Sequence, residues 1–118
     1  MSEPLITGEI ILPPRSVLPN SAVAYVQLLD TSLADAPSTL ITEQVITDVA
    51  GKIARGERIS FELFGKIEDL RARYTVSVHV DANGNGQISA GDFINDQSYP
   101  VVTLGYPNHI SVKTVQVT

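Results

Sequence analysis

Short runs in which apolar and polar residues alternate recur along the chain, each closed by Pro, Gly, Asn or Asp. A period of two puts alternate side chains on opposite faces of an extended backbone, so these runs read as strands. Leu5 to Leu12 is the first, and Pro13 and Pro14 end it because proline offers no N–H to a ladder. Ala22 to Leu29 sets Val23, Tyr25, Gln27 and Leu29 on one face and Ala22, Ala24, Val26 and Leu28 on the other. Apolar groups on both faces predict a strand with little exposure. The segment TSLADAPST, 31 to 39, is a loop by composition. Leu40 to Val49 alternates again, with Ile41, Glu43, Val45 and Thr47 opposed to Thr42, Gln44 and Ile46.

Residues 51 to 58 are polar and punctuated by glycine. Ile59 to Phe64 points Ile59, Phe61 and Leu63 inward, and KIEDLRAR, 66 to 73, is too short for a stable helix. Tyr74 to Val80 alternates most cleanly, and Tyr99 to Leu104 and Ile110 to Val117 close the chain. About seven strands and no convincing helix predict an all-β fold, an antiparallel β-sandwich formed by a single domain over residues 1–118. Tyr74, just after a turn, is either a tyrosine corner or a merely buried tyrosine.

Composition narrows the function classes. Apolar residues make up 43% of the chain, with no Trp and three Phe, so the core must come mainly from Val, Ile and Leu. A net charge of −5 argues against nucleic acid, whose phosphates need clustered Lys and Arg. With no Cys there is neither disulfide nor thiolate chemistry. No apolar run approaches the roughly 18 residues of a transmembrane segment. The opening MSEPLITGEI lacks the basic and apolar regions of a signal peptide. The expected location is the cell envelope or periplasm if this is a mature fragment, and the cytoplasm if Met1 is the native start.

The stretch DANGNGQISAGD, 81 to 92, interrupts the strand pattern. Calcium loops of the EF-hand type supply oxygens from positions 1, 3, 5, 7, 9 and 12, with glycine at 6 for the sharp turn. Counting from Asp81, those ligand positions hold Asp81, Asn83, Asn85, Gln87, Ser89 and Asp92, and position 6 is Gly86. Ile88, at position 8, is expected to anchor the loop to the core. Only two of the ligands carry charge, which predicts weak structural calcium binding with a Kd of about 10⁻⁴ to 10⁻³ M. The other reading is a long polar hairpin, since Asn83-Gly84 and Asn85-Gly86 are both strong turn signals.

No other constellation points to chemistry. His79 and His109 lie far apart without a zinc-type spacing, and no nucleophile elbow accompanies the serines. Glu57, Glu62, Glu68 and Asp69 read as solvated charge. Arg55, Arg58, Arg71 and Arg73 straddle one strand as a patch too small for nucleic acid. No catalytic residue is assigned, and the chain does not read as an enzyme.

Three stretches carry a family likeness: GEIILPPRSVLPNSAVAYVQLLDTSLADAPSTLITEQVI (8 to 46), FELFGKIEDLRARYTVSVHVD (61 to 81) and QSYPVVTLGYP (97 to 107). Together they resemble the YbaY/YscW-type family of bacterial envelope lipoproteins, which includes type III secretion pilotins, the lipoprotein chaperones of outer-membrane secretins. The resemblance implies a small sandwich of the transthyretin/immunoglobulin-like kind and no enzyme activity. In the pilotin members it implies binding of a secretin segment, so a protein partner of the cell envelope is expected. The alternative is a calcium-stabilised structural module of a surface or extracytoplasmic protein.

Overall fold

A computed structural model describes residues 3–33 and 36–118; Ala34 and Asp35, inside the loop read over 31 to 39, lie outside the described residues. The elements are β1 (Ile6–Ile11), β2 (Val23–Asp30), β3 (Thr39–Ile46), α1 (Val49–Ala54), β4 (Ile59–Leu63), β5 (Tyr74–Asp81), β6 (Phe93–Asn95), β7 (Pro100–Val101) and β8 (His109–Gln116). Hydrogen bonding orders the strands β3-β2-β5-β6-β8-β1-β4, with β7 alongside β5.

This arrangement corrects the expected antiparallel transthyretin/immunoglobulin-like sandwich. The described residues form eight strands rather than about seven, and β1 runs parallel to β8, with Thr7 beside His109 and Ile11 beside Lys113. The sheet therefore curls into a nearly closed barrel instead of splitting into two facing layers. The reason lies in what alternation specifies. It fixes which side chains face inward, but not which strand lies beside which. A register shift between Leu28 and Leu29 marks a bulge in β2, a device that adds bend and twist.

The barrel interior is the core. Ile6 and Ile10 of β1, Ala24, Val26 and Leu28 of β2, Ile59, Phe61 and Leu63 of β4, and Val76, Val78 and Val80 of β5 are all buried in it. For β4 the inward face read from the sequence is the observed one, and β2 is the little-exposed strand that its two apolar faces predicted. Gly8 occupies the tightest point, paired with Phe61 of β4 on one side and Ile110 of β8 on the other. A Cβ there would meet the Ile110 carbonyl oxygen and lie 2.6 Å from Phe61 Cζ. Only glycine lets these three strands approach so closely.

The terminal strands β3 and β4 face each other across the one seam. No ladder joins them; instead the Glu62 N–H donates to Gln44 Oε1 at 2.7 Å. A side chain thus stands where a partner strand's carbonyl would be.

Two local differences from the sequence reading have local causes. The strand expected over Leu40 to Val49 stops at Ile46, and a six-residue helix follows a left-handed Asp48. The strand expected over Tyr99 to Leu104 shrinks to Pro100–Val101 because Val102 is left-handed (φ 59°). Its Thr103 N–H donates to Val101 O at 2.7 Å, a strained three-residue turn for a β-branched residue. The segment 66 to 73 forms no helix, as expected. Tyr74 is buried, and it is the Tyr99 hydroxyl that braces the backbone: it accepts the Lys113 N–H and donates to Asp96.

Overpacking a filled core costs about 1–3 kcal/mol. We expect Gly8→Ala to lose stability in that range by urea denaturation, with an unchanged m value.

Candidate functional site

The loop from 82 to 92 joins β5 to β6 and folds back over the end of β5. Alternation along β5 puts Ser77, His79 and Asp81 on its outer face. The returning loop covers the Asp81 end of that face, so Asp81 and Asp92 are both fully buried. Buried carboxylates need donors, and each has them. Asp81 Oδ1 accepts the Gly84 N–H at 3.1 Å, and its Oδ2 accepts the Gly86 N–H at 2.6 Å. Asn83 Oδ1 and Asn85 Oδ1 each accept the N–H two residues on, from Asn85 and Gln87. Gly86 takes a φ of 78°, which suits glycine at the sixth position of the sharp turn.

Asp92 ties this loop to the sheet. Its Oδ1 accepts the Ala82 N–H at 2.9 Å, and its Oδ2 accepts the Ser89 N–H at 3.1 Å and His79 Nε2–H at 2.8 Å. An ionised carboxylate can only accept, so the shared imidazole proton sits on Nε2. Burial works to raise the Asp92 pKa, but the bonds from His79, Ala82 and Ser89 outweigh it and hold the carboxyl below its ordinary value. Backbone bonds between Val117 and both Gly91 and Asp92 fasten the loop's end to the chain just beyond β8.

His79, Asp81 and Asp92 each bring one ligand atom within 4.8 Å of the others. This buried His/Asp cluster is able to coordinate a metal ion. Two carboxylates so close and so dry repel one another, and a cation relieves that repulsion. Of the residues expected as ligands, the structure brings Asp81 and Asp92 together and leaves Asn83, Asn85 and Gln87 on the exposed turn. Ser89 Oγ is buried and lacks a hydrogen-bond partner among the described residues. His79 was the member that the loop pattern missed. Its signal was present in the spacing, two residues before Asp81 and hence on the same strand face. Ile88 does not anchor the loop, since 61% of its surface is exposed.

The remaining candidates resolve as structural. His109 Nδ1 lies 2.7 Å from Thr7 Oγ1, a link between β8 and β1. Arg55 pairs with Asp48 and Glu57, and Arg58 with Glu9. Two of the four arginines of the basic patch are thereby paired, and Glu57 is one of their partners.

Comparison with known proteins decides the family. The model of the type III secretion system lipoprotein chaperone family, YscW, matches residues 1–114. The chain belongs to this family. A solved pilotin structure is also similar, that of an alternative pilotin from the type II secretion system of Vibrio cholerae. It is 29% identical over 96% of each chain, with a TM-score of 0.71. No curated protein gives a significant match. As a YscW-type domain, the chain is a non-catalytic, pilotin/chaperone-like protein-binding module of the bacterial envelope. No helix among the described residues is long and apolar enough to cross a membrane.

A carboxylate with a depressed pKa stabilises the fold above its unfolded-state pKa of about 3.9. That contribution disappears as pH falls through the folded value. We expect the YscW-type domain to melt higher than its Asp92→Asn variant near pH 6, and the gap to narrow steadily below pH 4.

Proposed function

We propose that this YscW-type domain is a pilotin that binds a segment of a secretin-like outer-membrane protein and assists its targeting. The observation that carries the reading is the 29% identity to the Vibrio cholerae pilotin along almost the whole of both chains. The uncovered sheet face beside the 82 to 92 loop gives a protein segment a place to lie. In-cell cross-linking of the chain should recover the secretin reproducibly. Deleting the gene should lower the amount of secretin multimer in the outer membrane. No reproducible secretin adduct, together with unchanged multimers, would sink the proposal.

A second reading concerns the loop itself. We propose that Asp81, Asn83, Asn85, Gln87, Ser89 and Asp92 hold a structural calcium ion. Three features favour it: the Gly86 N–H bonded to Asp81, the successive turns at Asn83 and Asn85, and the return of Asp92 beside Asp81. His79 offers a softer nitrogen donor that suits zinc better than calcium, so the two ions make different demands on this cluster. With a Kd near 1 mM, about 10 mM calcium stabilises by about 1.4 kcal/mol, equivalent to a few degrees in Tm. We expect that rise in the parent chain and in His79→Asn, and not in Asp81→Ala. Equal melting in calcium and in chelator, or a rise produced by zinc alone and abolished in His79→Asn, would refute calcium.

A further inference from the structure

The outer face of the barrel wall carries two adjacent rows of side chains. Val45, Tyr25, His79, Ile94 and Val115 stand opposite one another in turn across β3, β2, β5, β6 and β8. Glu43, Gln27 and Ser77 form the neighbouring row. The first row is apolar or aromatic, and Val45 and Val115 are nearly half exposed. Where the two rows meet, Gly86 and Ile88 of the loop overhang the sheet and enclose a groove of about 410 Å³.

The floor and the wall of this groove have different chemistry. The Tyr25 and His79 rings are stacked, with centroids 6.0 Å apart and planes 25° from parallel, so they offer a flat π surface. The bond from His79 Nε2 to buried Asp92 locks the imidazole in that orientation. Glu43 is the one carboxylate lining the groove. Its Oε2 accepts the Gln27 amide at 2.7 Å, while no donor among the described residues reaches Oε1. Gln27 thus holds the carboxylate in place and leaves one of its edges open.

We propose that this groove binds an arginine side chain presented by a segment of a protein partner. A guanidinium is planar and permanently charged, stacks on aromatic faces and donates through a rigid fork to a carboxylate. Stacked on Tyr25 and His79, it has Glu43 beside it to receive its N–H groups. The arginine stem lies under Ile88, whose exposure is otherwise unrewarded. Apolar neighbours of that arginine in the segment meet Val45, Ile94 and Val115 along the row. Lysine fits less well, because a compact ammonium cannot stack. The proposal rests on the reading of the domain as a protein-binding module and adds the chemistry of what it grips.

The test uses short peptides, so it does not require the secretin. The full chain is titrated, with NMR detection, with acetyl-Val-Arg-Val-amide and with analogues bearing lysine or norleucine at the centre. We expect the arginine peptide to shift resonances of Tyr25, Glu43, Ser77, His79 and Ile88, to bind more tightly than the lysine peptide, and to leave the norleucine peptide weakest. Glu43→Gln, an exposed change that preserves the fold, should weaken the arginine peptide about two- to five-fold, the range of an exposed ion pair. Tyr25→Leu should erase the preference for arginine over lysine. Equal binding of the norleucine peptide, or undiminished binding by Glu43→Gln, would overturn the proposal. Peptide binding that survives without secretin capture would count against the pilotin reading alone.

Discussion

Everything in this domain depends on the seating of the first strand. β1 lies between β4, antiparallel, and β8, parallel, so the first and last strands are brought side by side. Parallel neighbours so far apart in sequence carry a large loop-closure entropy, and the contact must recover it through packing. Gly8 makes that packing possible by letting Phe61 lie across the strand. Once β1 is locked, β8 carries β6 beside β5, and the end of the 82 to 92 loop is pinned to the chain beyond β8. The arrangement of the loop is therefore set by contacts made near the chain termini.

The loop and the sheet share one buried carboxylate. Asp92 belongs to the loop, yet it fixes the ring of His79, which belongs to β5 and to the floor of the neighbouring groove. A cluster able to hold a metal ion and a concave surface facing solvent thus meet at a single imidazole. In a protein-binding family without catalysis, such a junction makes sense as rigidity. A surface that must recognise one segment gains affinity when its shape is held before the partner arrives.

How much of this could be read from the sequence differs by level. The existence of β1, β2, β4 and β5 as strands was plain from alternation, and for β4 so were its inward residues, because burial imposes a period of two on each strand. The pairing of those strands was not, because no residue of Ile6–Ile11 records that its neighbour lies a hundred positions away. β6 has only three residues, too few for a period to register, and α1 is a single short helix beginning at a left-handed Asp48. Val102 was read as part of a strand because valine favours strands, and only the tertiary context forces it into a left-handed turn. In the loop, the spacing of Asp81 and Asp92 was legible. The membership of His79 was missed because the motif counts forward from Asp81, whereas the strand's own period reaches backward.

The seam between β3 and β4 has one more consequence. Edge strands with free N–H and C=O groups are templates on which identical chains stack into aggregates. Here the two edges face each other, and Gln44 reaches across to occupy the Glu62 amide, so part of each edge is masked by the other. A barrel closed by a side chain rather than by a ladder keeps some freedom to open. It also leaves less of either edge open to pairing with a second copy. For a protein-binding module, an edge masked by its own chain is one that a foreign segment need not compete for with a second copy.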